Sequence, residues 1–243
     1  MATRKKQPDK TEEKEEGREE QHESRRGPIS SWKPTGIGDL DSFTTALCIQ
    51  IEENDEQLEK MALGFHQLGP ERVGQLSRYL MNNKILTVID LTCNDLGDRG
   101  CSRVFFALRL NKMLKELNVP GNEIGPGGCT AIAEFLTVNN TLQKLSLNAN
   151  NFGDEGVAII AKGLAKNKRL EFLNVRETGF TDIAAKELLQ AVNLDNGNQF
   201  LHGLWWNFNN VSPDLMEKMN ALLRKKHPVL HPSIYQPRGP PRS

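Results

Sequence analysis

The sequence predicts an α/β solenoid, and three observations carry that prediction. An apolar pattern recurs at a fixed spacing of 28 residues. Each copy opens on a short alternating stretch and continues into a stretch of helical periodicity. The copies follow one another without a long break, so each can stack only on its neighbours. The predicted form is a right-handed curved stack of about six repeats of 28 residues, with parallel strands on the concave face and helices on the convex face.

The repeat is clearest over residues 142–156, where Leu142, Leu145, Leu147 and Phe152 surround Asn150. Going back 28 residues gives Leu114, Leu117, Val119, Asn122 and Ile124, and another 28 gives Leu86, Ile89, Leu91, Asn94 and Leu96. A first copy reads Leu58, Met61, Leu63 and Leu68, with His66 in the Asn place. A fifth reads Leu170, Leu173, Val175 and Phe180, with Thr178 there. The sixth begins at Leu201, after 31 residues, and reads Leu204, Trp206, Asn209 and Val211.

Alternation in L-x-L gives a strand with one apolar side. Eighteen residues after each first Leu comes Leu76, Val104, Ile132, Ile160, Leu188 or Met219, and an apolar partner follows four residues later. That spacing is one buried stripe of a helix. Gly100, Gly128, Gly156 and Ala184 near the helix starts allow close approach of neighbouring backbones. Strands stack at about 4.8 Å and helices at roughly 10 Å, so the stack bends with its strands inside.

These residues resemble the leucine-rich repeat family, in its ribonuclease-inhibitor-like class with long helical repeats, over residues 58–223. The resemblance implies a ladder of Asn side chains bonding the turns; Asn94, Asn122, Asn150 and Asn209 match it, while His66 and Thr178 depart from it. It also brings alternatives to a plain scaffold. One is a GTPase-activating protein of the Ran-activator type, for which Arg72 and Arg99, read as turn residues, are the candidate groups. Another is a cytoskeletal or axonemal subunit, such as a tropomodulin-like actin cap or a ciliary component.

The predicted organisation is a charged disordered tail at 1–35, a capping helix at 36–57, the solenoid at 58–226 and a Pro-rich basic tail at 227–243. Residues 1–35 hold nine Lys/Arg and eight Asp/Glu with almost no large apolar side chains, a composition that cannot offset its ordering entropy. Leu40, Phe43, Leu47 and Ile51 stand at helical spacing, with Asp39 as the expected N-cap. Five Pro and no acidic residue fall in 224–243. Val229, Leu230, Ile234 and Tyr235 give that tail the means to pack back on the solenoid.

The chain carries 31 basic and 31 acidic residues, which argues against nucleic acid as a partner. No apolar run is long enough for a membrane span, and the N-terminus lacks a secretory core. Four scattered Cys fit a reducing compartment, so a cytoplasmic setting is expected, with a cytoskeletal or ciliary one as the alternative.

Chemistry is thin. The glycines of 121–128 fall on repeat positions and lack a Gly-Lys-Ser/Thr ending, so they do not form a phosphate loop. Cys101 and Cys129 share a repeat offset; they read as small core residues, the other options being a redox pair or a metal site. No cofactor, metal or catalytic set is nominated, and the chain is read as a non-enzyme.

The strand positions facing away from the core are small or polar in the first four copies. In the last two they include Phe172, Asn174, Arg176, Trp205 and Asn207, with Phe208 beside them. Aromatics and Arg dominate binding energy at protein interfaces. These six are therefore the candidate protein-binding residues, on a monomer or a subunit of a larger assembly, unless the C-terminal tail covers them.

Overall fold

The computed structural model describes residues 37–193 and 197–226. The readings of 1–35 as a disordered tail and of 227–243 as a docked or loose tail lie outside these residues.

Helix α1 (Ile37–Glu52) leads into six strand-helix units. The strands are β1 (Lys60–Ala62), β2 (Val88–Asp90), β3 (Glu116–Asn118), β4 (Lys144–Ser146), β5 (Phe172–Asn174) and β6 (Gly203–Trp205). The helices that follow them are α2 (Gly69–Leu80), α3 (Gly97–Leu108), α4 (Pro126–Val138), α5 (Gly153–Lys166), α6 (Asp182–Ala191) and α7 (Pro213–Lys226). The strands form one parallel sheet in sequence order. Its register follows the repeat, so Ile89, Leu117, Leu145, Leu173 and Leu204 lie side by side, all buried. The result is the curved solenoid that the 28-residue period demands, with strands inside and helices outside.

Leu40, Phe43, Leu47 and Ile51 are all buried, and α1 lies against α2. Asp39 falls within α1, which already runs at Ile37, and so does not stand at the N-cap position.

The Asn ladder is present where the sequence matches it. Asn94 Oδ1 accepts the amides of His66 and Leu68, and its Nδ2 donates to Leu63 O. Asn122 Oδ1 accepts the amide of Asn94, and Asn150 Oδ1 accepts that of Asn122. Thr178 interrupts the series: its hydroxyl donates to Val175 O within its own turn. His66 also turns locally, through a 2.8 Å bond from Nδ1 to Gly64 O. A carbonyl can only accept, so Nδ1 carries the proton. The ring then stacks on Phe43 of α1.

A second ladder runs along the opposite edge of the stack. Asn83, Asn111, Asn139, Asn167 and Asn198 are all buried, three residues before the first Leu of their units. Each Oδ1 accepts two amides of the strand entry, as Asn139 does from Thr141 and Leu142. The Nδ2 of Asn139 donates back to Leu108 O and Asn111 O in the preceding unit. The sequence reading passed over this series, although its spacing is as regular as that of the first.

Carboxylates join successive helix starts. Asp98 accepts the amide of Gly125, Asp154 those of Thr181 and Ala184, and Asp182 that of Ser212. Each Asp thus supplies to the following unit an acceptor of the kind an N-cap residue provides.

Candidate functional site

The aromatic face is built at the last strand pair. Phe172 pairs in register with Gly203, and Asn174 with Trp205. Trp205 is therefore diagonal to Phe172, and its indole reaches the phenyl ring over Gly203, where no side chain intervenes. The two rings stack at 5.7 Å with planes 26° apart. A Cβ at position 203 would stand 2.6 Å from Phe172 Cδ1. The His202 ring meets the other side of this cluster edge-on, 6.2 Å from Phe172. Both rings of the stack are half-buried.

The stack forms one wall of a shallow depression of about 280 Å³. Glu116, Asn118, Lys144, Leu145 and Ser146 line the remainder, so it crosses the strands from β3 to β6. Lys144 Nζ lies 3.5 Å from Glu116. Asn174 is fully engaged: its Nδ2 donates to Ser146 Oγ and Asn148 Oδ1, and its Oδ1 accepts the Arg176 amide. These bonds tie β5 to β4 and to the turn that carries Arg176. The Arg176 Nε is shielded from solvent and has no hydrogen-bond acceptor among the described residues.

The remaining candidates sit differently. Asn207 is half-buried beyond Trp205 on the same chain segment. Phe208 lies on the turn after β6, 48% exposed and with φ of +63°. Among the described residues its ring stacks on neither Phe172 nor Trp205. Phe65, at the same repeat offset in the first unit, has the same φ and is 76% exposed. The sequence reading missed two contributors. They are His202, through its ring, and Gly203, through its lack of a side chain. The signal for both is the register, which sets Gly203 opposite an aromatic.

Arg72 and Arg99 are helical residues of α2 and α3, not turn residues, because each helix begins directly after the last apolar position of its turn. Arg72 is paired with Asp41 at 2.7 Å and Arg99 with Glu71 at 2.9 Å.

Cys101 and Cys129 are buried free thiols. A Cβ on Gly128 would lie 3.2 Å from Cys101 Sγ, and one on Gly156 would lie 2.7 Å from Cys129 Sγ. Each sulfur thus occupies the space left open by the glycine of the next helix. Burial pushes the Cys129 thiol up to about 12 and raises that of Cys101 as well, so neither supplies thiolate near neutral pH. Among the described residues no three His, Cys, Asp or Glu side chains are grouped to hold a metal ion. None of the described helices is long and apolar enough to cross a membrane.

Six stacked strand-helix units with an Asn ladder define a leucine-rich-repeat protein. A family model described as Leucine Rich repeat matches residues 82–104, 110–133 and 138–161, three consecutive copies within the stack. Among solved structures, the chain is similar to one titled Leiomodin-1 Actin-Binding Site 2, at 19% identity with a TM-score of 0.52. That likeness covers 79% of this chain and 90% of the other. A tropomodulin C-terminal domain from Caenorhabditis elegans matches at 12% identity with a TM-score of 0.48, over 76% of this chain and 93% of its own. No curated protein matches by sequence.

Proposed function

We infer that this chain is a non-catalytic protein-binding scaffold and that its partner docks on the concave side of the last two repeats. The observation that supports this most is the stack of Phe172 on Trp205. Two large rings half-exposed on an outward face gain little from the solenoid core, and paired aromatics are what interface centres are made of. The depression beside them gives a partner side chain a place to enter.

A photo-reactive benzoylphenylalanine at position 205, and in a second chain at position 106, tests the assignment in cell extract. Position 106 lies on α3 of the helical face, where Phe106 is also exposed. Cross-linked product is expected from 205. Product from 106 alone would move the interface to the convex face.

A second reading is attachment to the actin cytoskeleton. It is prompted by the shared fold with a domain whose title names an actin-binding site. Co-sedimentation with actin filaments, alongside binding to monomeric actin, tests it. Absence of the chain from the filament pellet together with no binding to monomer would remove this reading and leave the scaffold reading standing.

A further inference from the structure

Arg176 stands two residues past Asn174, the register partner of Trp205, without an acid. Its Nε is shielded and has no acceptor, and its guanidinium forms no ion pair among the described residues. The two charged side chains that line the depression pair with each other, Lys144 with Glu116. Arg176 as a whole is only half-buried, and a carboxylate bonds a guanidinium through its two terminal nitrogens as well as through Nε, a charge-assisted bond of the stronger kind.

We propose that the partner brings an Asp or Glu side chain to Arg176 beside an apolar residue laid on the Phe172 and Trp205 rings. This rests on the reading of this face as a protein-binding surface and adds the chemistry of what binds. The depression crosses the strands, so the partner segment runs along the stack, with its apolar residue over β5 and β6. Its acid reaches the turn after β5.

The chain's own terminal segments do not offer this combination. Residues 224–243 contain no Asp or Glu. Residues 1–35 contain eight, but their large apolar residues other than Met1 are Ile29 and Trp32, six or more positions past the last acid, Glu23. In neither terminal segment does an acid stand within five positions of a large apolar residue, so the pairing is assigned to another molecule.

A displayed library of random peptides, selected on the immobilised full-length chain, tests the proposal. Wild-type chain should enrich peptides that carry an Asp or Glu close to an aromatic or large aliphatic residue. Arg176→Gln should weaken the selected peptide about tenfold or more, as loss of a charge-assisted bond does, and should abolish the acidic preference while keeping the apolar one. Arg176→Gln makes no native side-chain bond to lose, so it should remain folded. Phe172→Ala with Trp205→Ala should lose the enriched peptides altogether. Enrichment that depends on the aromatic pair but shows no acid overturns the inference and leaves the scaffold reading intact. Enrichment that ignores the aromatic pair overturns both. Acidic peptides recovered only after the Glu residues at 12 to 23 are changed to Gln would assign the site to the chain's own N-terminal segment, and the external acidic partner would fall.

Discussion

Trp205 lies over Phe172 because Gly203 leaves the space between them open. The two rings are not register partners, and 5.7 Å separates their centres across a position with no side chain. Gly203→Ala would set a methyl group 2.6 Å from Phe172 Cδ1, a distance that rings and methyls do not tolerate. The expected outcome is a displaced Phe172 and a broken stack, read as a changed aromatic signal in near-UV circular dichroism with the far-UV spectrum preserved. An unchanged near-UV spectrum would show that the rings do not depend on Gly203.

The buried ladder of Asn83, Asn111, Asn139, Asn167 and Asn198 should be more important to stability than any surface polar residue. Asn139→Ala strands the amides of Thr141 and Leu142, while Leu108 O keeps the Asn111 amide and Asn111 O keeps the Thr141 hydroxyl. Each buried unsatisfied group costs about 1–3 kcal/mol, with relaxation and water recovering part, so about 3 kcal/mol is expected. Its exposed neighbour Asn140 changed to Ala should stay within about 0.5 kcal/mol. Denaturant melts of the two variants make the comparison.

Leu145 occupies the middle of β4 and is 2% exposed. Leu145→Ala should lower stability by about 2–5 kcal/mol, through lost transfer energy and the cavity left behind. A loss under about 1 kcal/mol in the same melts would contradict its place in the shared core.

Asp154 gives the fold an acid-sensitive joint between units. Burial raises its carboxyl value, but the Thr181 amide and hydroxyl and the Ala184 amide outweigh that and hold it below the ordinary 3.8. The folded chain therefore binds this proton more weakly than the unfolded one. The stabilisation is present above about pH 4 and is lost as pH falls through the lower folded value. The stability gap between wild type and Asp154→Asn should be constant from neutral pH to about pH 5 and should close below 3.8. A gap that stays constant down to pH 2.5 would show that the charge plays no part.

The period made the solenoid legible, because every core residue from Leu58 to Leu223 sits at an offset that recurs. The Asn positions recur with the same period, and the resemblance to the leucine-rich repeat family implies the ladder, with its departures at His66 and Thr178. The second ladder stands at an equally regular spacing, but an Asn before a strand does not announce its burial. At the site, the outward position of Phe172 and Trp205 followed from strand alternation. Their stacking did not, because it is a diagonal contact that depends on Gly203 leaving the space between the rings open. The isolation of Arg176 is likewise a property of three dimensions. Five of its neighbours in sequence are polar or charged, and only the fold shows that none meets its guanidinium. The turn position of Phe208 is not legible from alternation, which ends with β6 at Trp205.

The claim at the centre of this account is that the Phe172 and Trp205 face carries partner binding. It is tested most directly by the affinity of one protein, captured from cell extract by the wild-type chain and then purified, for three folded chains: wild type, Phe172→Ala with Trp205→Ala, and Phe106→Ala. The account predicts a loss of about 2 kcal/mol or more, roughly 30-fold, in the double variant, with Phe106→Ala binding as wild type does. Full affinity in the double variant would contradict it.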